Sequence, residues 1–304
     1  MKIAIIVVTY NRKKLLEETI EAILKQSYKD FELLLIDNNS TDGTYDYIKK
    51  YLDNNELIKY YNTGENLGGA GGFSYGLRIA SEEKFDYAYI MDDDTILTEN
   101  ALMSLKKKIN VLEGKFGFIN SLVKWRDGSL CEMNLPIISE KILRNYTYLK
   151  DGLLQCDSCS FVACLVNIRV MREIGLPIKE FFIYGDDVEF TTRLSTVLPG
   201  YIDFDSTVIH KIPENKRADV VTISSDRINR YFYDTRNSFY IAKRKGKKYI
   251  LKYMVHIMWT IIRIVNKSHD KKIKRIGVVM KGFFAGINFN PKIEMVNDSE
   301  SENK

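Results

Sequence analysis

Apolar and polar positions along the chain follow one rhythm in the first hundred residues and another afterwards. Ile3–Val8 is an unbroken apolar run, the pattern of a strand buried on both faces. Lys13–Ser27 then carries Leu16, Ile20, Ile23 and Leu24 at helical spacing. The alternation repeats with a strand over Phe31–Ile36 and a helix over Asp42–Leu52, with Tyr45, Ile48, Tyr51 and Leu52 facing inward. Leu57–Tyr61 predicts a third strand, and a glycine loop, Asn66–Phe73, leads to a helix near Ser74–Ser81. Asp86–Met91 is a fourth strand, ending in Asp92-Asp93-Asp94. Strands alternating with helices need right-handed crossovers, which predicts an α/β fold with a doubly wound, mostly parallel sheet. Ligands of such sheets bind beyond the carboxyl ends of the strands, where Thr9–Arg12, Asp37–Thr41 and Asp92–Asp94 all fall.

After Ala101 the strands stop alternating regularly with helices. Phe116–Val123 and Leu153–Val166 read as strands and Val170–Ile174 as a short helix stopped by Gly175 and Pro177. Asp186–Leu194 reads as a helix with Asp186 placed to cap it. An aromatic-rich helix, Arg227–Lys243, precedes two amphipathic segments.

Three clusters carry candidate chemistry. Adjacent carboxylates at Asp92, Asp93 and Asp94 repel one another, and a divalent cation would relieve that repulsion; a solvated capping loop is the plain alternative. The loop Asn66-Leu67-Gly68-Gly69-Ala70-Gly71-Gly72 is no dinucleotide fingerprint, because that motif occupies the first strand–helix turn, which here reads Thr9-Tyr10-Asn11-Arg12. It offers either close backbone approach to a ligand or a tight strand–helix connection. Phe181–Phe190 sets Asp186, Asp187 and Glu189 among aromatics, where a carboxylate acquires a raised pKa suited to a general base. His210 ends the alternating run Thr207–Ile209, and its imidazole is either structural or a metal ligand.

Val7–Arg12, Ile36–Thr44, Asn66–Gly72, Asp92–Asp94 and Gly185–Phe190, taken in this order, resemble glycosyltransferase family 2 and its GT-A fold, a Rossmann-like sheet, here with a C-terminal helical extension. The doubled glycines and the triple aspartate are similar to bacterial galactofuranosyltransferases, with rhamnosyltransferases as near neighbours. The resemblance implies that Thr9, Asn11, Arg12, Asp37 and Asn38 hold a uridine or thymidine, and that Asn66, Gly68, Gly69 and Asp93 lie beside the nucleotide and donor sugar. It further implies that Asp92, Asp94 and His210 hold Mn²⁺ or Mg²⁺ and that Asp187 is the catalytic base. Asn38 departs from the family, where a second aspartate is common, and leaves the choice of pyrimidine open. The implied activity is inverting transfer of galactofuranose from UDP-galactofuranose to a lipid-linked glycan acceptor of a bacterial surface polysaccharide. The alternatives are a rhamnosyltransferase using dTDP-rhamnose, or a binding module that has kept the fold. One base plus a metal cluster suits a diphosphate leaving group, whereas a glycosidase needs a second, protonated carboxylic acid.

Charge and composition add a second theme. Of 304 residues, 45% are apolar and 12% aromatic, enough for one sizeable core and an appendage. Lys216–Asn290 holds 18 Lys/Arg against 4 Asp/Glu, while the remainder holds 27 against 36. The expected division is a catalytic domain over 1–215, a basic amphipathic helical region over 216–292 and a disordered tail over 293–304. Lys252, His256, Thr260 and Arg263 of the apolar segment Tyr249–Val265, with Lys267 beyond it, share one helical face, which predicts a helix lying in an anionic inner-leaflet surface; a helix packed on the catalytic domain is the alternative. No nucleic-acid module accompanies the charge. The N-terminus lacks a cleavable signal pattern, which leads us to expect a cytoplasmic protein, peripheral on the inner face of the cell membrane. Cys131, Cys156, Cys159 and Cys164 fit that compartment as free thiols. A homo-oligomer is compatible with the sequence.

Overall fold

The computed structural model describes residues 1–143 and 146–296, which divide into two compact units. The first unit contains residues 1–179, 187–216 and 293 onward; the second contains 180–186 and 217–292.

The first unit opens with β1 (Ile3–Thr9), α1 (Lys13–Leu24), β2 (Phe31–Asp37), α2 (Thr44–Asp53), β3 (Ile58–Asn62), α3 (Gly68–Glu82) and β4 (Tyr87–Asp92). It continues through β5 (Thr95–Leu97), α4 (Ala101–Val111), β6 (Phe118–Lys124), β7 (Ile137–Ile138), β8 (Leu153–Ser158), β9 (Cys164–Asn167), α5 (Ile168–Ile174), α6 (Asp186–Val197) and β10 (Gly200–His210). The described strands form one mixed sheet in the order β3-β2-β1-β4-β9-β6-β10-β8-β7, with β5 paired to β10. The β3-β2-β1-β4 half is parallel, as the βα alternation requires, while β9 runs antiparallel to both β4 and β6. All seven residues of β1 are buried, because each sheet face carries its own apolar layer. Leu16, Ile20 and Ile23 of α1 cover one face, and Phe73, Leu77 and Ala80 of α3 cover the other. Burying each such large side chain contributes roughly 1.5–3 kcal/mol before entropy is counted.

The glycines expected in a loop lie inside α3. Gly72 is there for packing: a Cβ would stand 2.6 Å from Val8 Cγ1, so only glycine lets the helix rest on β1. Leu153–Val166 is two strands rather than one, separated by a 3-10 turn at Phe161–Ala163. Tyr45 is 48% exposed rather than inward, although Ile48 is buried as expected. β10 extends well upstream of Thr207–Ile209, passing a register shift between Asp203 and Thr207. All four cysteines are buried free thiols.

The second unit contains α7 (Tyr231–Lys245), α8 (Lys247–Lys267) and α9 (Lys272–Asn288). α9 lies against α7 where Gly282 and Gly286 leave no side chain; a Cβ on Gly282 would meet the Phe232 carbonyl oxygen at 2.6 Å. Arg275 is 2% exposed and donates to the carbonyls of Val220 and Ile223, tying the incoming segment to α9. The polar stripe expected on α8 does not stay on one solvent face. Thr260 is buried and Arg263 pairs with Asp219, whereas Lys252, His256 and Lys267 are exposed. The outward face is instead apolar: Leu251, Val255, Met258 and Trp259 are 57–65% exposed, with Met254, Ile262 and Val265 beside them. Among the described residues no helix is long and apolar enough to cross a membrane.

Two boundaries differ from the expected division. Glu180–Asp186 clusters with the helical unit, its backbone held by Asn237, whose amide donates to the carbonyls of Phe181, Ile183 and Tyr184 at 2.8–3.1 Å. At the other end, Ile293–Val296 belongs to the first unit: Leu176 N–H donates to the Glu294 carbonyl and Arg78 pairs with its carboxylate. The rest of the expected tail, 297–304, lies outside the described residues.

Candidate active site

Parallel pairing of β1 with β4 sets Val8 opposite Asp92, so the turn after β1 meets the acidic run after β4. Thr9 Oγ1 donates to Asp93 Oδ2 at 2.7 Å. Arg12 Nη1 donates to Asp93 Oδ1 at 3.1 Å and to Asp94 Oδ2 at 2.9 Å. Burial pushes Asp93 up to about 7 despite Arg12 beside it. Burial, reinforced by the Asp94 charge, pushes the half-buried Asp92 up to about 6.

β5 folds back from this run and pairs antiparallel with β10, placing Thr95 opposite His210. Lys211 N–H then donates to the Asp94 carbonyl at 2.9 Å. His210, 4% exposed, brings Nε2 to 3.0 Å from Asp94 Oδ1. Burial opposes charge on both groups, yet the contact prevails, raising the imidazole pKa and lowering that of Asp94. Ligand atoms of Asp92, Asp94 and His210 lie within 4.8 Å of one another.

The fit of this trio to a cation can be judged from its own chemistry. Asp94 Oδ1 is buried and accepts from no protein donor unless His210 is protonated. Two lone-pair atoms facing each other at that distance need a proton or a cation between them. Two carboxylates and one imidazole suit Mn²⁺ or Mg²⁺.

Asp187 lies in the first turn of α6, where its Oδ1 accepts from Val188 N–H at 2.7 Å. Burial raises it to about 6, and the charge of Asp92 adds to the effect. The helix starts at Asp186 itself, the residue expected at its N-terminal end.

The remaining expected residues shape two loops. Asn11, at φ 56, accepts from Thr41 N–H through its side-chain oxygen, while its own N–H donates to Ser40 Oγ. Asp37 is 1% exposed and accepts from Ser40 N–H and from Tyr60 OH. Asn38 donates to the Gly68 carbonyl at 2.9 Å and leaves a buried Oδ1 with no protein partner. Asn66 Oδ1 accepts from Gly68 N–H, and Gly68 takes φ 70, a left-handed conformation that favours glycine. Gly69 faces open space. Sequence reasoning passed over Tyr60 and Asn134, which touch Asp37 and His210 respectively. Only the paired aromatics Tyr60 and Tyr61 at the end of the third strand offered a signal.

A family model described as glycosyl transferase family 2 matches residues 4–114. An uncharacterized glycosyltransferase of Haemophilus influenzae is 33% identical over 188 residues, 60% of this chain and 70% of that protein. The chain belongs to glycosyltransferase family 2. A second relative of this chain is the GalNAc(5)-diNAcBac-PP-undecaprenol beta-1,3-glucosyltransferase of Campylobacter jejuni, 34% identical over 130 residues. That match covers 42% of the present chain and 40% of the relative, so the chain spans well under two thirds of the relative's length. The crystal structure of GalNAc-T7 with UDP, GalNAc and Mn²⁺ superposes on 79% of this chain and 50% of its own, with a TM-score of 0.60 and 15% identity. The shared fold is GT-A: a mixed α/β sheet, here followed by C-terminal helices.

Proposed function

We propose that this family 2 enzyme is an inverting, metal-dependent hexosyltransferase that moves galactofuranose from UDP-galactofuranose to a lipid-linked saccharide during bacterial surface-polysaccharide synthesis. The observation that carries the reading is the convergence of Asp92, Asp94 and His210 within 4.8 Å, with Asp187 near enough to feel the Asp92 charge. A pure nucleotide-sugar or glycan binder has no use for a base of raised pKa beside a cation site.

In this reading Asp92, Asp94 and His210 hold Mn²⁺ or Mg²⁺, which neutralises charge on the departing diphosphate. Thr9, Asn11, Arg12, Asp37 and Asn38 form the nucleotide end of the site, and Asn66, Gly68, Gly69 and Asp93 line the path of the donor. Asp187 accepts the proton of the acceptor hydroxyl as its oxygen bonds to the anomeric carbon from the face opposite the diphosphate. The bond from that carbon to the phosphate oxygen breaks, and its electron pair leaves with the diphosphate.

The glycine-bearing start of α3 supports galactofuranose, and the open space at Gly69 is compatible with a ligand there. The Campylobacter relative is by its name a transferase acting on an undecaprenol-linked glycan, which supports a lipid-linked acceptor. The apolar outer face of α8, flanked by Lys247, Lys248, Lys252 and Lys267, supports docking on an anionic inner-leaflet surface. The proposed functional division is a catalytic part over 1–215 and a basic helical part over 216–292, with residues 180–186 grouping by contact with the helices.

Purified protein, Mn²⁺ and a lipid-linked acceptor, supplied in parallel with UDP-galactofuranose and dTDP-rhamnose, test the donor. Turnover of the first alone is expected. Turnover of only the rhamnose donor overturns the sugar assignment, and no turnover across a panel of donors returns the protein to the binding-module reading.

A further inference from the structure

We infer that Asn134 is a positioning residue of the cation site, fixing the tautomer and ring plane of His210. The inference rests on the reading of Asp92, Asp94 and His210 as cation ligands.

After β6 the chain doubles back: Lys124 bridges Leu130, and Cys131 N–H donates to the Val123 carbonyl. One 3-10 turn, Glu132–Asn134, follows, and it buries Asn134 to 5% exposure. Trp125 Nε1 donates to the Ile212 carbonyl at 2.9 Å, so this hairpin is fastened to the end of β10 that carries His210. Asn134 Oδ1 lies 2.8 Å from His210 Nδ1, while its amide nitrogen donates to Ser160 Oγ at 3.0 Å. Both ends of the amide are thus engaged.

The consequence follows from donor and acceptor types. An amide oxygen only accepts, so Nδ1 must carry the proton. The neutral ring then has its lone pair on Nε2, the atom 3.0 Å from Asp94 Oδ1. The opposite tautomer would point an N–H into the cluster and exclude a cation. Cys131 Sγ, 3.8 Å from Nδ1, accepts only weakly from the same N–H and favours the same tautomer as the much shorter amide contact. An amide also does this without adding a further negative charge near Asp92, Asp93 and Asp94.

The test is a Mn²⁺ titration of the full chain, with free ion read by electron paramagnetic resonance and no donor or acceptor present. Wild type is expected to bind, and His210→Ala to bind much more weakly. Asn134→Leu, which keeps the volume but removes the acceptor, is expected to weaken binding by about 10–100-fold. Asn134→Asp keeps an acceptor at the same place and is expected to restore binding. Ring ¹⁵N spectra of the Mg²⁺-loaded wild type are expected to show the proton on Nδ1 of His210. Should Asn134→Leu fail to fold, Ser160→Ala frees the amide to rotate and is expected to weaken binding measurably. Wild-type affinity in Asn134→Leu or, failing that variant, in Ser160→Ala, beside a weakened His210→Ala, overturns the role of Asn134 alone. Equal affinity of wild type and His210→Ala overturns the ligand assignment, and this inference with it.

Discussion

Nε2 of His210 sits 3.0 Å from Oδ1 of Asp94, and the pairing of β5 with β10 is what brings them together. A contact that depends on a three-residue strand is easily disturbed, so its chemistry is best probed by substitutions that spare the backbone.

Adding Mn²⁺ is expected to raise the Tm of the wild-type protein, by the equivalent of about 2.7 kcal/mol at one hundred times Kd. Asp94→Ala is expected to lose that response, as read by differential scanning fluorimetry with and without chelator. An unchanged response would show that Asp94 is not a ligand.

Asp92→Asn is expected to stabilise the metal-free protein while weakening Mn²⁺ binding. The folded pKa of Asp92, about 6, lies above the ordinary 3.8, so its charged form costs stability at pH 7. That cost, about 1–3 kcal/mol, is fully present above pH 6 and disappears as the pH falls toward 4. The gain from Asp92→Asn in chelator should therefore be large at pH 7.5 and small at pH 4.5. A gain independent of pH would argue against a charge penalty at this position.

Asp187→Asn is expected to lower turnover by about 10²–10⁴-fold with Mn²⁺ affinity intact. A carboxylate that must be ionised to accept a proton gives kcat an acid limb, rising with pH through about 6. Asp186→Asn is expected to cost far less. Near-normal turnover in Asp187→Asn with a dead Asp186→Asn would exchange their roles.

Gly69 and Gly72 are expected to respond differently to alanine. A Cβ at Gly72 would meet Val8 and Asn38, so Gly72→Ala should cost about 1–3 kcal/mol of stability. A Cβ at Gly69 meets nothing within 4 Å, so Gly69→Ala should keep the wild-type Tm. Its KM for the donor should rise, because the added methyl stands on the proposed donor path. An unchanged KM would remove Gly69 from the site.

Membrane docking by α8 predicts a blue shift of Trp259 fluorescence with anionic vesicles, partly reversed by high salt. Val255→Glu together with Met258→Glu should abolish the shift without altering Tm, since both side chains face solvent. Retained binding would place the docking surface elsewhere.

The parallel half of the sheet was legible because its strands are continuous apolar runs and its helices keep a 3.6-residue period. Where tertiary contacts outweigh local preference, the reading failed. Gly68–Gly72 is intrinsically poor helix sequence, yet it is helical because α3 packs closely on β1. The upstream part of β10 was hidden by Asp203 and Asp205, whose charges are met by Ser104 and Lys108 rather than by water. On α8, Thr260 and Arg263 resembled members of a solvent stripe, but Thr260 is buried and Arg263 pairs with Asp219, 44 residues upstream. The acidic run and His210 were visible as residue types; their convergence required the β5–β10 pairing. Asn134 lies in irregular chain with no period to announce it.

The contacts of Arg12 with Asp93 and Asp94 also imply an order of events. Arg12 and the imidazolium of His210 cannot balance Asp92, Asp93, Asp94 and Asp187 when all four are ionised, so the protein groups alone then present a net anionic face to an arriving nucleotide diphosphate. In the proposed reading, a divalent ion bound among them would reverse that sign locally and turn the repulsion into attraction. Cation and nucleotide would then arrive as a charge-matched pair or in the sequence cation first. The affinity for each should rise in the presence of the other by the same factor, as thermodynamic linkage requires.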